Sequence, residues 1–200
     1  LYIPLVTMGL MSREYASGSI KLLYSSPVKN SSIILGKFLS MVVYGGVLIG
    51  IIALFALFTF IFTPNFDYPI VLVGLLGLYL LILAYSAIGI FFSSLTKYQV
   101  VAAIGTLAAL AFLNNVSDIG RKSDLIRDIT YWLDLSGKSR SFLNGIFSSQ
   151  DFFYFIIVIV LFLSLSIFKL NTEKSIMSTR TKVLKYFAIV GVSLVCGYVT

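Results

Sequence analysis

Four long stretches of this chain, residues 38–66, 68–96, 98–117 and 152–168, contain no charged residue. A helix crossing the roughly 30 Å hydrocarbon core of a bilayer needs about 20 mostly apolar residues at 1.5 Å each. The first three stretches meet that length. The fourth falls within range because its flanking residues, Asp151 and Lys169, can carry their charges to the interface. Barrel strands would alternate apolar and polar residues, and "VLIGIIALFALFTFIF" does not. The chain is therefore expected to be all-α, a polytopic bundle of transmembrane helices. Composition agrees: 58% of residues are hydrophobic and 12% charged, where a soluble domain carries about a quarter charged residues.

Both ends are read as cut. "LYIPLVTMGL" opens on Leu1 as the last turns of a span, and "YFAIVGVSLVCGYVT" stays apolar to Thr200. The expected organisation is a membrane domain over 1–170, then a linker and the start of a further helix over 171–200. A signal peptide is not expected, since no basic segment precedes the first apolar run.

Lys and Arg set the orientation. The loop 11–38 has four basic residues and one acid, a single Lys97 marks the next loop on that side, and 169–185 has five basic residues against Glu173. On the other side lie "TPNFDYP" and the loop 114–151, whose five basic residues are balanced by five aspartates. The positive-inside rule places the first group in the cytoplasm. The net charge of +7 is thus a topology signal, and no nucleic-acid partner is expected.

The chain has no histidine and one cysteine, Cys196, within an apolar run. His-ligated metals, Ser/His/Asp triads and Cys/His dyads are excluded on this sequence, so no catalytic residue, cofactor site or metal site is expected. Inside the spans only neutral polar groups occur, among them Tyr44, Thr59, Ser86, Gln99, Thr106 and Ser164. Coupled transporters usually keep an ionisable residue at that depth. These neutral groups are expected to be interhelical hydrogen bonders, and Gly46 and Gly50 to be a small-residue pair for helix packing.

Two polar segments carry amphipathic patterns. In "SDLIRDITYWLDL", Leu125, Ile126, Ile129, Trp132 and Leu133 share one helical face. That pattern suits a helix at the outer interface, acting as a brace or a lid. In "SREYASGSIKLLYSSPVKNSSIILGKF", Ser17-Gly18-Ser19 breaks the chain, Ile20, Leu22 and Leu23 form a short apolar patch, and Pro27 ends it. A patch of this kind on a cytoplasmic face needs a partner surface, either lipid headgroups or another protein.

The arrangement Glu14, Gly18-Ser19-Ile20, Leu22-Leu23, Pro27-Val28 and then Leu35-Gly36-Lys37-Phe38 resembles the cytoplasmic element of ABC-2-type exporter permeases. In that family a pattern such as E-x-x-S-G-T-I-E-L-L-x-T-x-P-V precedes an L-G-K-F-type sequence. This chain departs from it at Ser19, where Thr is usual, at Lys21, where an acid is common, and at Tyr24, often aliphatic. "SSLTKYQVVAAIGTLAALAFL" and "FLNGIFSSQDFFYFIIVIVLFLSLSIFKL" resemble the gliding-motility-associated permeases of Bacteroidetes-type bacteria. Some of those relatives are fused to an auxiliary membrane subunit with a periplasmic domain, which the segment after Lys182 would suit.

The resemblance implies a multi-pass permease of the bacterial inner membrane, paired with a second permease unit and with cytoplasmic ABC ATPases. ATP and Mg would be bound by the ATPase, so the chain itself is not expected to be an enzyme. Glu14, Gly18, Ser19, Ile20, Leu22, Leu23, Pro27, Gly36 and Lys37 become the residues that couple to the ATPase. A secondary transporter and a non-transporting membrane scaffold are the alternative readings.

Overall fold

A computed structural model of the chain describes residues 2–20, 29–62, 67–120 and 135–174. Among these, 91% are helical and no strand occurs. The helices are α1 (Tyr2–Thr7), α2 (Gly9–Ser17), α3 (Asn30–Phe62), α4 (Tyr68–Leu95), α5 (Gln99–Gly120), α6 (Leu135–Leu143) and α7 (Ser149–Lys174). Three of them, α3, α4 and α7 over Ser149–Thr172, are long and apolar enough to cross a membrane, and α5 carries a shorter apolar segment, Gln99–Asn115.

The boundaries differ from the charge-free stretches in an instructive way. Helix α3 begins at Asn30, eight residues before its charge-free run, and its 33 residues extend about 50 Å. Charge therefore did not end the helix; Lys37 lies in its third turn, held by a partner described below. Part of the loop expected over 114–151 is helical: α5 continues to Gly120, α6 occupies Leu135–Leu143 and α7 begins at Ser149. The amphipathic segment with Leu125, Ile129, Trp132 and Leu133 lies outside the described residues.

Helix α4 packs against every other described helix. Its buried positions include Gly77, Ala84, Ser86, Ala87, Gly89, Ser93 and Ser94, small residues that let neighbouring backbones approach. A Cβ on Gly77 would overlap the Phe142 side chain of α6, and one on Gly89 would overlap Thr7 Oγ1 of α1. Phe142 is fully buried there, in ring contact with Phe147 and Phe155 at 6.0 and 6.1 Å.

Contacts along the helices give their directions. On α3 and α4, Gly45 meets Ile82 and Tyr79, while Phe60 and Tyr68 line one shared groove, so the pair is antiparallel. On α4 and α5, Phe92 meets Gly105 and Tyr85 meets Asn114, again antiparallel. One end of the bundle thus carries Gly18–Ile20, Lys37 and Lys97. The other carries Asp67, Lys138 and Asp151.

At that second end α6 closes in a Schellman motif: Gly145 (φ 77°) donates to Phe142 O at 2.9 Å and Ile146 donates to Ser141 O at 3.0 Å. Only a residue without a Cβ adopts this left-handed turn cheaply. Lys138 Nζ then bonds Asp151 Oδ1 at 3.3 Å, in the first turn of α7, and lies 4.7 Å from the centre of the Tyr154 ring. A carboxylate there also complements the positive end of the helix dipole.

Candidate functional site

The candidate site is the junction of α2, α3 and the C-terminal end of α4, where the sequence places its coupling pattern. Helix α2 ends at Ser17 because Gly18 takes a left-handed conformation (φ 75°) and its amide donates to Tyr15 O at 3.4 Å. Ser17 and Ser19 hydroxyls meet at 2.8 Å across the break, which holds the chain in its turn. Gly18 has nothing within 4 Å of where a Cβ would stand. Its requirement is for backbone conformation and not for space.

Across this junction runs an ion pair. Lys37 Nζ donates to Glu14 Oε1 at 2.6 Å and to the backbone carbonyl of Leu10. The two side chains keep 19% and 28% of their exposure, so water screens the pair only in part. Leu10 and Glu14 are one turn apart on α2, so a single ammonium on α3 grips two successive turns of α2. The pairing explains how a lysine is accommodated in the third turn of an otherwise apolar helix.

The predicted residues divide into groups. Glu14 and Lys37 come together, as the sequence alone did not foresee. Gly18 and Ser19 form the helix stop. Ile20 is only 7% exposed and belongs to the main hydrophobic core with Met11 and Ile34. In this structure its side chain packs against the chain's own helices, where the sequence reading expects it on a docking patch. Gly36 faces open space and imposes no steric requirement. Leu22, Leu23 and Pro27 lie outside the described residues.

Near the same junction Asn30, at the start of α3, donates from Nδ2 to Asn171 Oδ1 of α7 at 2.9 Å. With α2 held by Lys37 and α7 by Asn30, the first turns of α3 form a fixed platform. Among the described residues no group of three His, Cys, Asp or Glu comes together.

The neutral polar groups inside the spans behave less uniformly than expected. Tyr44 OH does reach another helix, donating to Tyr2 OH at 2.6 Å. Thr59, Ser86 and Thr106 instead donate to the carbonyls four residues earlier in their own helices. A short hydroxyl satisfies itself locally in this way when no partner is within reach. One interhelical pair within the spans that the sequence does not announce is Tyr85 OH with Asn114, which exchange contacts at 3.3 and 3.1 Å. The glycine that packs on α4 is Gly45, one residue before the expected pair. Gly46 and Gly50 meet nothing within 4 Å, whereas Gly45 lies against Ile82 and Tyr79.

A family model described as ABC-2 family transporter protein matches residues 1–121. No curated protein and no solved structure matches the chain.

Proposed function

The chain belongs to the ABC-2 family of transporter proteins, and from that premise we propose that it is the membrane permease of an ATP-driven exporter. In this reading a cytoplasmic ABC ATPase binds and hydrolyses ATP, and the segment from Glu14 to Pro27 receives its motion. The end of the bundle carrying Lys37 and Lys97 faces the cytoplasm, as the distribution of basic residues suggests. Two permease units work with two ATPases in the bacterial inner membrane. The resemblance of 93–113 and 142–170 to gliding-motility-associated permeases supports a role in a system of that kind.

The observation that carries this proposal is the grip of Lys37 on Glu14 and Leu10. A helix that is to transmit force must be fixed to the spans at more than one point, and this contact fixes α2 to α3. Leu22 and Leu23, with Ile20 already committed to the core, are left as the docking contact. Burying one such side chain against a partner contributes roughly 1.5–3 kcal/mol.

Co-purification of the ATPase with the full-length permease tests the assignment. Leu23→Asp would place an uncompensated carboxylate in the contact and should abolish binding, with Leu23→Ala weakening it less. Normal insertion of Leu23→Asp together with full ATPase binding and turnover would sink the coupling assignment.

A further inference from the structure

Helices α1 and α2 are consecutive and meet at Met8, whose backbone stays right-handed helical (φ −54°, ψ −34°) and whose amide still donates to Pro4 O at 3.0 Å; the ladder is diverted just after it, at the amides of Met11 and Ser12. The N-cap position of α2 is Met8 itself, whose side chain makes no capping hydrogen bond. The cap comes instead from a different helix. Ser93 Oγ of α4 accepts from the amides of Met11 at 3.0 Å and Ser12 at 3.1 Å, and donates to Met8 O at 2.7 Å. In an uninterrupted helix those two amides would donate to the carbonyls of Thr7 and Met8. A hydroxyl has one proton and two lone pairs, and here all three are engaged at the break.

The surroundings leave the break little freedom. Ser93, Met11 and Ser12 are fully buried, so water cannot take over the role of Ser93. One turn back along α4, Gly89 admits Thr7, whose own hydroxyl bonds Ile3 O at 3.0 Å and Pro4 O at 3.3 Å. Ser12 Oγ adds a second donor to Met8 O. Beyond the break, α2 carries Leu10 and Glu14 to Lys37 and ends at Gly18.

We infer that Ser93 is a positioning residue for the coupling step: its hydroxyl fixes the start of α2 on α4 and ties the motion of α2 to α4. This rests on the reading of Glu14–Pro27 as the ATPase contact. Motion delivered to Gly18 enters the bundle at two points, Lys37 on α3 and Ser93 on α4. Without the Ser93 hydroxyl, α2 stays attached to α3 and turns without α4.

The neighbouring Ser94 supplies the control. It is equally buried, but its hydroxyl donates to Phe91 O within α4 and does not reach α2. Spin labels would be placed at the exposed positions Arg13 and Lys97 of the full-length permease, in a Cys196→Ser background, in liposomes with its co-purified ATPase. Pulsed dipolar spectroscopy then gives the distance distribution before and after addition of ATP with orthovanadate. The expected wild-type result is one narrow distribution that shifts with nucleotide. Ser93→Ala should broaden it and erase the shift, raising the unset population by roughly two- to thirty-fold, the range that loss of a helix cap carries. ATPase should still co-purify, but turnover should fall. Ser94→Ala should match wild type in every reading.

Ser93→Cys, which keeps the volume with a much weaker donor and acceptor, is carried unlabelled through the turnover assay, so the answer does not hang on the folding of one variant. Wild-type turnover in Ser93→Cys, wild-type distances in Ser93→Ala, or equal defects in Ser94→Ala and Ser93→Ala would overturn the inference. If no ATPase co-purified with wild-type permease, the coupling reading itself would fail. The nucleotide-free distances would still decide whether Ser93 sets α2.

Discussion

Helices α3 and α4 are similarly apolar, adjacent in sequence and antiparallel, yet they occupy opposite roles. Of the most apolar part of α3, 6% is buried inside the bundle; for α4 the share is 33%. Helix α3 buries only Asn30, Ile34, Met41 and Gly45, all in its first half. Its second half shows Leu54, Phe55, Leu57, Phe58, Phe60 and Ile61 to the outside. Between that half and α4 lies a groove of about 420 Å³ bordered by Ala53, Ala56, Tyr68 and Leu72. The difference teaches that hydropathy marks a helix as belonging in lipid and says nothing of its rank in the bundle. Rank follows from small residues that recur on more than one face. Helix α4 has Gly77, Ala84, Ala87, Gly89 and Ser93 in contact with several partners. Helix α3 presents large side chains that no described helix covers.

Glycine substitutions should break this comparison most visibly. In α4, Gly77→Ala and Gly89→Ala force a methyl into Phe142 and Thr7, and overpacking of that sort costs about 1–3 kcal/mol or more. Gly45→Ala in α3 meets the Ile82 methyl at 3.0 Å and should cost less. Gly46→Ala and Gly50→Ala should be silent. Inactivation half-lives of the purified protein in detergent at elevated temperature would rank the five. A loss at Gly46 equal to that at Gly77 would mean that another helix of the assembly covers α3 on that side.

The next effect in size concerns the attachment of α3 to α2. Glu14→Gln or Lys37→Met leaves one charge half-sheltered without its partner, and about 1 kcal/mol is expected at this degree of exposure. The exchanged double variant Glu14→Lys with Lys37→Glu should recover part of the loss in the same inactivation assay, because the Coulomb attraction returns. It should not recover all of it, since the ammonium is no longer placed to donate to Leu10 O. Complete independence of the two single changes in a double-mutant cycle would remove the pair from the account.

The smallest effects separate the two kinds of membrane hydroxyl. Tyr85→Phe should destabilise by about 0.6 kcal/mol, the average for an interhelical hydrogen bond in lipid, because it orphans Asn114 on α5. Thr59→Val and Ser86→Ala remove bonds made within one helix and should fall below that. Equal losses at Tyr85 and Thr59 would show that the partner helix does not matter.

Much of this was written in the order of residues. Three of the four runs without charge coincide with the helices long enough to span, and the run at 98–117 with the shorter apolar segment of α5, since an unpaired charge in hydrocarbon is too unfavourable to be scattered at random. Ser17-Gly18-Ser19 announced a break, because glycine alone takes a left-handed turn without strain. The coupling pattern from Glu14 to Phe38 pointed to the family before any geometry was known. These are properties of a residue and its near neighbours, and sequence order contains them.

Pairings across helices were of another kind. Lys37 could have faced water, and nothing local ties it to Glu14, 23 residues earlier. Met8 cannot cap α2, and the serine that does so lies 81 and 82 residues from the amides it accepts. Gly45 and Gly46 are identical in sequence terms, yet rotation by one residue turns one toward α4 and the other away. Ile20 reads as part of an apolar patch, and its packing with Met11 and Ile34 is set by tertiary structure. Each of these was decided by how the helices turn and stack on one another. A helix has one sequence but several possible faces, and only packing against neighbours selects which face is inside.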